Sequence, residues 1–313
     1  MRVLVTGGAG FIGSHIVEHA LTAGFEVAVL DNLSSGKREN VPSGVPLFTV
    51  DLRDREATLE AVADFKPELV SHQAAQASVP TSIKDPRFDA EVNIIGGINL
   101  LDACTAPGSS VKQVVFASTG GAIYGEVPEG QRAGEGFQLE PKSPYGISKL
   151  TFEKLLGVYR EQRGLASNVL RYANVYGPRQ DPHGEAGVVA IFFDSALAGQ
   201  KLTVFAMRQL GDGGCIRDYV YVGDVARANL LALQGKLPHP VMNVGTGSPT
   251  TTQQLGERIL ALTSSGSALL QGPVRAGDIE RSLLDVTRFE QTLGAPTPLE
   301  QGIGETARWY RER

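Results

Sequence analysis

Tyr145 and Lys149 lie four residues apart in a segment whose pattern predicts a helix, so both side chains point to the same face. The hydroxyl of a free tyrosine has a pKa of roughly 10 and is a poor base at neutral pH. The Lys149 ammonium and a second positive charge close by, in a partly desolvated site, can lower that pKa toward neutrality. This shift corresponds to about 4 kcal/mol. The spacing therefore indicates a tyrosine base that a lysine activates.

Ser118 and Thr119 stand at the end of a buried strand that the sequence predicts to begin at Gln113. The carboxyl ends of parallel strands form the edge where open α/β sheets bind ligands. A Tyr-x-x-x-Lys spacing alone is also common on solvated helix faces. Two hydroxyl groups at this edge, followed along the chain by the helix of Tyr145, favour the catalytic interpretation.

Gly7, Gly10 and Gly13 have the spacing G-x-x-G-x-x-G between a predicted first strand and a predicted first helix. A helix N-terminus offers unpaired N–H groups and a partial positive charge, which suit a pyrophosphate. The first glycine would permit the tight turn, the second a close approach of the backbone, and the third the packing of helix on strand. Although the spacing is one residue longer than the common fingerprint, its position predicts a dinucleotide site.

Asp31 ends the predicted second strand, where a ribose-binding carboxylate belongs in a dinucleotide fold. A carboxylate accepts hydrogen bonds from the ribose hydroxyls and repels a 2′-phosphate, so Asp31 favours NAD over NADP. Lys37 and Arg38 follow closely and weaken that inference slightly. Asp51 and Leu52 end the third strand, and they either contact the adenine or form a solvated strand end.

Short β-branched runs alternate with longer helical patterns through the first half, which predicts βαβ units and a parallel sheet. The predicted fold class is α/β, with a doubly wound parallel sheet of the Rossmann type and a smaller, discontinuous C-terminal substrate domain. The predicted strands are 3–6, 26–30, 47–50, 69–72, 113–117 and 166–170, and the predicted helices are 10–23, 55–65, 89–104 and 145–163.

The regular alternation stops after Tyr176, where the composition of 177–184 predicts a loop. Later elements are shorter, although 216–222 and 241–244 have strand patterns and could rejoin the main sheet. We therefore expect an NAD-binding Rossmann domain of residues 1–176 plus about 216–245. The substrate domain would comprise about 177–215 plus 246–313.

Composition and charge narrow the class of protein. The 313 residues are 42% hydrophobic and 20% charged, with a formal net charge of −5. This balance argues against a nucleic-acid or membrane partner, and no apolar run approaches the roughly 20 residues that cross a bilayer. The two cysteines, Cys104 and Cys215, lack metal-ligand spacing and fit a reducing compartment. Because the first strand begins at Arg2, we expect no signal peptide and a cytoplasmic protein. We also expect no metal site, since the cysteines lack the spacing of metal ligands.

Together these motifs resemble those of the extended short-chain dehydrogenase/reductase family, and most closely those of bacterial UDP-glucose 4-epimerases. The resemblance spans essentially the whole chain. The segments that carry it are 7–14 (GGAGFIGS), 31–33 (DNL), 51–52 (DL), 72–76 (HQAAQ), 118–119 (ST), 145–149 (YGISK), 171–179 (RYANVYGPR) and 217–220 (RDYV).

The resemblance implies NAD along the carboxyl edge of the sheet, with backbone N–H groups of Phe11 and Ile12 on the pyrophosphate. Lys84 would reach the cofactor phosphates or remain a solvated lysine. The other implied cofactor contacts are Asp31, Asn32, Ser35 and Lys37 around the adenosine ribose, Ala74, Ala75 and Gln76 after the fourth strand, and Asn93 in the next helix.

In the reaction of this family, Tyr145 would take the proton of the sugar 4-hydroxyl as a hydride leaves C4. Lys149 would lower the pKa of Tyr145 and bind the nicotinamide ribose. Thr119 would contact the same sugar oxygen, with Ser118 as the alternative because this stretch is one residue longer than in some relatives. Return of the hydride to the opposite face of the 4-keto sugar would invert C4. NAD would be regenerated in each turnover and stay tightly bound.

The implied substrate is a UDP-sugar, held mainly by the second domain. Arginine suits bidentate contact with phosphate. The implied contacts are Asn174, Arg217 and Arg275 for the diphosphate, and Phe205, Val188 and Val189 for the uracil, although apolar residues there could equally form core.

Ser282, counted four positions from Asp278, bears on the choice of sugar. In the family, a tyrosine at this position restricts the sugar pocket, whereas a small residue admits an N-acetyl group. We therefore expect conversion of UDP-glucose and UDP-galactose and also of the N-acetylhexosamines, with UDP-glucuronate as another possible substrate.

Gly120 and Gly121 argue against a related activity. Dehydratases of the family have an Asp-Glu pair after the threonine, and glycine can donate no proton in its place. A non-catalytic NAD-binding sensor would typically lack the Tyr–Lys pair, which this chain retains. The family usually dimerises through a four-helix bundle, which here implies a homodimer through the helices 89–104 and 145–163.

Overall fold

Fourteen short strands and eleven helices occur in the computed structural model, which describes residues 1–183, 187–274 and 279–312. The strands are β1 (Arg2–Thr6), β2 (Glu26–Leu30), β3 (Leu47–Phe48), β4 (Leu69–His72), β5 (Gln113–Thr119), β6 (Ala166–Tyr172), β7 (Asn174–Tyr176), β8 (Leu202–Ala206), β9 (Ile216–Arg217), β10 (Tyr219–Tyr221), β11 (Val241–Val244), β12 (Thr250–Thr251), β13 (Leu269–Val274) and β14 (Arg281–Ser282). The helices are α1 (Phe11–Thr22), α2 (Arg55–Phe65), α3 (Val79–Lys84), α4 (Pro86–Ala90), α5 (Gly96–Cys104), α6 (Pro144–Arg163), α7 (Val188–Leu197), α8 (Val222–Leu233), α9 (Thr252–Thr263), α10 (Thr287–Leu293) and α11 (Leu299–Glu312).

Seven strands form one parallel sheet in the order β11-β6-β5-β4-β1-β2-β3. β1 pairs with β2 on one side and with β4 on the other, and the strand order runs outward from this point in both directions. Such a reversal opens a crevice at the carboxyl ends of the strands. The predicted doubly wound sheet of the Rossmann type is confirmed.

The two faces of the sheet bury different side chains because alternate residues of a strand point in opposite directions. Val3 and Val5 lie on the face that packs against α1 and α8. Leu4 and Phe116 lie on the other face, against α2, α5 and α6. Both faces are therefore covered by helices, which explains the nearly continuous apolar runs of the first-half strands.

A third apolar core lies among α7, α9, α11 and β8. Three small sheets surround it, pairing β8 with β13, β10 with β7, and β9 with both β12 and β14. No helix within the described ranges is both long and apolar enough to cross a membrane. The assignment of residues to two domains stays a prediction.

The expectation that 216–222 rejoins the main sheet is wrong, and only 241–244 does so, as β11 beside β6. The segment forms β9 and β10 on either side of Asp218, and α8 begins at Val222. The buried Asp218 carboxylate accepts hydrogen bonds from the backbone N–H groups of Thr246 and Gly247, at 2.8 and 2.9 Å. These bonds tie the segment to the loop after β11, and its strands pair in two of the small sheets instead of in the main sheet.

The predicted helix over 89–104 is divided by a π-helical turn. α4 ends at Ala90, the π turn spans Glu91–Ile95, and α5 begins at Gly96. A π turn widens a helix locally and often occurs at a functional site. Here it contains the buried Asn93.

Candidate active site

A cavity of about 830 Å³ opens at the carboxyl edge of the sheet, where β1, β2, β4 and β5 end. It brings together most of the predicted cofactor residues and three of the four predicted catalytic residues. Those that line it are Gly7, Gly10, Phe11, Ile12, Gly13, Asp31, Asn32, Ser35, Lys37, Asp51, Leu52, Ala74, Ala75, Gln76, Ser118, Tyr145 and Lys149.

The glycine loop forms one wall of this cavity from backbone alone. Gly7 has a φ of +68°, in the left-handed region that favours glycine. A Cβ on Gly7 would lie 2.6 Å from the backbone nitrogen of Ala74, and a Cβ on Gly13 would collide with the carbonyl oxygen of Gly7. Larger residues at these two positions would push the loop away from the neighbouring strands.

The N-terminus of α1 points its donors at the cavity. Ser14 makes the first bond of this helix, donating to the Gly10 carbonyl at 3.1 Å. The N–H groups of Phe11 and Ile12 precede that bond, so they have no acceptor within the helix. They are available to an anionic group, and both residues line the cavity.

Asp31 is held by the backbone around it. One carboxylate oxygen accepts from the Ala9 N–H at 3.0 Å, and the other accepts from the Leu33 N–H at 2.9 Å. Burial raises the pKa of Asp31, and these two hydrogen bonds oppose that rise. The carboxylate is therefore fixed at the cavity wall with acceptor capacity left for a ligand hydroxyl.

Asp51 occupies a more exposed part of the rim. Arg53 donates to both of its oxygens, at 3.0 and 2.7 Å, and Asn32 donates to one of them at 2.9 Å. The Arg53 hydrogen bonds hold the pKa of Asp51 well below its ordinary value. Arg53 also lines the cavity but was not predicted, although it stands next to the predicted Asp51-Leu52 pair.

Asn93 does not line the cavity but supports a residue that does. Its side-chain oxygen accepts from the Gln76 N–H, and its side-chain nitrogen donates to the Gln76 carbonyl, both at 2.9 Å. The Gln76 amide also donates to Asp89 at 2.7 Å. The π turn thus fixes the backbone after β4 where that backbone meets the cavity.

Tyr145 and Lys149 lie in the first turns of α6, on the side of the cavity where β5 ends. Ser143 caps this helix by accepting from the Gly146 N–H. Lys149 is 4% exposed, and its ammonium donates to the Ala117 carbonyl at 3.0 Å. The ammonium nitrogen lies 5.9 Å from the centre of the Tyr145 ring. The ammonium and the tyrosine ring therefore lie side by side at the cavity wall.

Ser118 and Thr119 have different surroundings. The hydroxyl of Ser118 donates to Glu153 at 2.5 Å, so its proton is already engaged. Thr119 is 8% exposed, and a Cβ on Gly121 would lie 3.8 Å from both the Thr119 hydroxyl and the Asn174 amide. Thr119 and Asn174 therefore flank the same space, although Thr119 is absent from the lining of the large cavity.

Residues 177–183, which we call the strap, follow β7 and supply Arg179, Gln180, Asp181 and His183 to the cavity wall. Lys37 and Asp181 form an ion pair at 3.3 Å between the two sides. On the outer side, Arg179 pairs with Glu18 of α1 at 2.6 Å, and Tyr310 of α11 donates to the Gln180 carbonyl at 3.3 Å. The sequence predicted a loop here but gave no sign that it lines the cofactor cavity.

His15 anchors the strap to α1. Its Nε2 lies 2.9 Å from the Pro178 carbonyl, and its Nδ1 lies 3.2 Å from a guanidinium nitrogen of Arg179. Burial, with a further contribution from Arg179, lowers the pKa of His15 to about 4. The ring is therefore neutral at physiological pH and donates from Nε2 to the carbonyl.

Tyr172 and Gln73 line the cavity but were not predicted as site residues. Asn229 of α8, fully buried, donates to the Tyr172 hydroxyl at 2.7 Å. The Gln73 amide donates to Asn229 at 3.1 Å, and the Tyr172 hydroxyl donates to Gln73 at 3.2 Å. These bonds join three distant parts of the chain, so only the presence of Tyr172 in the RYANVYGPR segment could have indicated it.

Asn174 and Arg217, two of the predicted diphosphate residues, do not line this cavity. The Asn174 amide donates to the Asp218 carbonyl at 3.1 Å. The Arg217 guanidinium donates to the carbonyls of Ile279 and Glu280, at 2.5 and 3.2 Å. Arg275 lies outside the described residues, as does Asp278, from which Ser282 was counted. Arg217 is thus satisfied by its own chain in this structure.

The remaining predicted substrate residues have unequal exposure. Phe205 is 41% exposed, whereas Ser282 is 2% exposed beside Arg217, on the strand paired with β9. Val188 and Val189 begin α7 and pack with the third core. Lys84 is exposed at the end of α3 and does not line the cavity.

Comparisons with known proteins agree along nearly the whole chain. Residues 3–245 match the NAD dependent epimerase/dehydratase family. The UDP-glucose 4-epimerase of Mycolicibacterium smegmatis is 42% identical over 320 residues, which cover 100% of this chain and 99% of the relative. The crystal structure of the Thermus thermophilus UDP-glucose 4-epimerase in complex with NAD has a TM-score of 0.94 and 54% identity, covering 99% of both chains. The UDP-N-acetylglucosamine 4-epimerase of Methanobrevibacter ruminantium M1, in complex with UDP-N-acetylmuramic acid, has a TM-score of 0.88 and 35% identity, covering 99% and 98%.

Proposed function

This chain belongs to the NAD-dependent epimerase/dehydratase family, and from that premise we propose that it is a UDP-hexose 4-epimerase that uses NAD. The observation that carries the proposal is the placement of Tyr145 and Lys149 in the same cavity as the glycine loop and Asp31. β5, beside the Tyr–Lys pair, is three strand spacings from β2, beside Asp31, or about 14 Å. An extended dinucleotide fills such a span.

The cavity suits NAD on three counts. A Cβ on Gly7 or Gly13 would collide with neighbouring backbone, so the loop packs closely and meets the cavity without side chains at these positions. The N–H groups of Phe11 and Ile12 supply donors for the pyrophosphate, and Asp31 supplies an acceptor for the adenosine ribose.

The protein side chains would move one proton. The phenolate of Tyr145 would remove the proton of the sugar 4-hydroxyl, and the ammonium of Lys149 would stabilise that phenolate. Reversible hydride transfer is the chemistry that NAD supplies when bound. The resulting 4-keto sugar would turn about its diphosphate linkage and regain the proton from Tyr145 after inversion at C4.

Thr119 is the hydroxyl we propose for the contact with the sugar oxygen. Its neighbour Ser118 already donates to Glu153. Thr119 instead flanks the space beside Asn174, one of the proposed diphosphate ligands. This arrangement supports a sugar that lies between Asn174 and Tyr145.

Elimination of water is disfavoured by Gly120 and Gly121. A Cβ on Gly120 would lie 2.6 Å from a methyl group of Leu284, so an acid there would require this buried side chain to move. Gly121 has space but carries no proton donor. The keto intermediate therefore has no acid–base pair at these positions, which supports return of the hydride instead of loss of water.

The strap supports tight retention of NAD. Arg179, Gln180 and Asp181 line the cavity over the cofactor space, and contacts to α1, α11 and Lys37 hold the strap in place. A dinucleotide could leave only after several of these contacts open together. Retention suits an epimerase, because NAD is regenerated at each turnover.

We propose that Arg217, with Arg275, turns to bind the substrate diphosphate and that Phe205 and α7 contact the uracil. Ser282 is adjacent to this region, and its small side chain supports acceptance of N-acetylhexosamines. Relatives of this fold include a UDP-N-acetylglucosamine enzyme, the epimerase of Methanobrevibacter ruminantium named above.

A homodimer is proposed from exposed apolar residues on neighbouring helical segments. Ile147 and Val158 of α6 are 51% and 53% exposed, and Ile95 of the π turn is 50% exposed. α6 packs against the π turn and α5. A second copy could cover these residues by completing a four-helix bundle.

Incubation of the purified protein with UDP-galactose, UDP-N-acetylglucosamine or UDP-glucuronate, without added NAD, tests the proposal. We expect inversion at C4 of the first two sugars. Tyr145→Phe should abolish turnover and keep bound NAD, whereas Tyr159→Phe, a matched hydroxyl loss on the same helix, should leave turnover intact. Full activity in Tyr145→Phe would refute the mechanism, and conversion of UDP-glucuronate alone would reassign the substrate.

A further inference from the structure

Glu153 continues the stripe of α6 that carries the proposed catalytic pair. Tyr145, Lys149 and Glu153 follow one another at intervals of four residues, so their side chains lie along one side of the helix. The Glu153 side chain is 8% exposed, and no step of the proposed chemistry uses it. A buried carboxylate next to a proton-transfer site requires an explanation.

The Glu153 carboxylate has a full set of donors. Ser118 donates to one oxygen at 2.5 Å, and Arg171 donates to the two oxygens at 2.9 and 2.6 Å. Ser118 and Arg171 are register partners on the adjacent strands β5 and β6. Their side chains therefore share the face of the sheet that α6 covers, and Glu153 contacts both of them from α6.

Arg171 is also satisfied on its other side. Its second terminal nitrogen donates to the Tyr124 hydroxyl at 2.9 Å and to the Glu135 carbonyl at 3.2 Å. Burial opposes the Arg171 charge, but the hydrogen bonds and charge of Glu153 outweigh it and raise the pKa of Arg171. The guanidinium therefore remains charged, and the pair forms a buried bidentate salt bridge.

These contacts connect α6 to the end of β5 at two successive points. Lys149 donates to the Ala117 carbonyl at 3.0 Å, and Glu153 accepts from the Ser118 hydroxyl. Thr119 is the next residue of β5. The two connections consequently set the position of the strand end that carries Thr119 relative to the helix that carries Tyr145.

We propose that Glu153 is a positioning residue for proton transfer: held by Arg171, it engages Ser118 and so keeps the Thr119 strand end at a fixed distance from Tyr145 and Lys149. The inference rests on the proposed function. Stability alone does not account for this pair, because a buried ion pair is often no more stabilising than apolar residues of equal volume. A bidentate pair does supply direction, and a displacement of about 1 Å in a catalytic group can reduce turnover about 100-fold.

Glu153→Gln is the central variant because it keeps the shape of the side chain and removes its charge. Glu161→Gln is the matched control, since it makes the same substitution at an exposed position of the same helix. Ser118→Ala removes only the link to β5 and leaves the salt bridge intact. We would measure kcat, KM, NAD per chain and the midpoint of thermal unfolding for each variant and for the Ser118→Ala/Glu153→Gln double variant.

We expect Glu153→Gln to lower kcat about 100-fold, with KM and NAD content unchanged within about twofold. The double variant should be no slower than Glu153→Gln, because both changes disrupt the same connection, between Ser118 and Glu153. Their effects should therefore not add. Normal kcat in Glu153→Gln, or losses that multiply in the double variant, would overturn the inference. So would a loss of kcat that merely follows a loss of NAD or of folded protein.

Crystal structures of Glu153→Gln and Glu161→Gln test the same inference without turnover. In the first variant we expect a changed Ser118 rotamer and a Lys149–Ala117 contact longer than 3.0 Å, and in the second no change. If the wild type converts no UDP-hexose, the proposed function fails while these structures still decide the positioning role. An active wild type with an unaltered strand end in Glu153→Gln overturns the positioning role alone.

Discussion

The cofactor side and the substrate side of the site are held in different ways. On the cofactor side, Asp31 accepts two backbone N–H groups, and the wall at Gly7 and Gly13 consists of backbone. On the substrate side, Arg217 donates to carbonyls of its own chain. The first side is ready for its ligand, whereas the second must exchange internal contacts for ligand contacts. This difference suits a cofactor that stays and a sugar that turns.

The strongest way to break this comparison is Gly13→Ala. The added Cβ would collide with the Gly7 carbonyl, so we expect bound NAD to fall from about one per chain to nearly none. Gly157→Ala on α6, where a Cβ meets nothing within 4 Å, is the control. NAD can be measured by absorbance after the protein is unfolded. Normal NAD content in Gly13→Ala would show that backbone contacts do not hold the cofactor.

Acid should weaken the attachment of the strap through His15. Burial lowers its pKa to about 4 from 6.5, so the unfolded chain binds more protons between these values, and the stability gained from neutral His15 is lost as pH falls through that window. The full change is about 3 kcal/mol in the free energy of unfolding. Denaturant titrations at several pH values should show a smaller loss in His15→Gln than in the wild type or in His19→Gln. An equal loss in all three would contradict this.

Arg217→Lys tests the substrate side. Lysine cannot make the bidentate phosphate contact of arginine, so we expect KM to rise about tenfold and NAD content to remain unchanged. Arg208→Lys is the control, because Arg208 is 77% exposed and pairs with Glu280 at 2.9 Å. Steady-state kinetics and UDP titration calorimetry measure the effect. Equal KM values for the two variants would remove Arg217 from the proposed diphosphate site.

Lys37→Ala should have the smallest effect. The Lys37 and Asp181 side chains are 41% and 37% exposed, and such pairs contribute about 0–1 kcal/mol. We therefore expect NAD to dissociate at most about fivefold faster. Lys112→Ala, which breaks an exposed pair with Glu68, should leave the rate unchanged. A far larger acceleration would show that Lys37 is a main holder of NAD, through this ion pair or through a direct contact with the cofactor.

The site features that the sequence predicted well are formed by residues that lie close together along the chain. The glycine loop, Asp31 and the Tyr145–Lys149 pair each follow from a strand end or from a helical turn. The contacts that it missed join distant residues, such as Asn229 and Tyr172, 57 positions apart, or His15 and Pro178, 163 positions apart. Such contacts require knowledge of how α1, α8 and the strap pack, which no local pattern contains.

The second half of the chain was harder to predict for a related reason. The pattern of 216–222 is that of one strand. In the structure, the buried Asp218 carboxylate accepts a hydrogen bond from the Thr246 N–H, and the segment is divided into β9 and β10. The identity of a strand partner depends on such tertiary contacts, which override the local preference. Val241–Val244 pairs with β6 and forms an edge of the main sheet.

Because of the π turn at Glu91–Ile95, this helical segment depends on the number of its residues as well as on their identity. Deleting one residue there would restore regular α-helix and rotate everything before the turn by about 100° relative to α5. Either Asn93 would lose its hydrogen bonds to Gln76, or Ile95 would no longer lie exposed on the outer face of the helix. Substitutions can accumulate along this segment, but insertions and deletions should be rejected, and a single-residue deletion scan would reveal five consecutive intolerant positions.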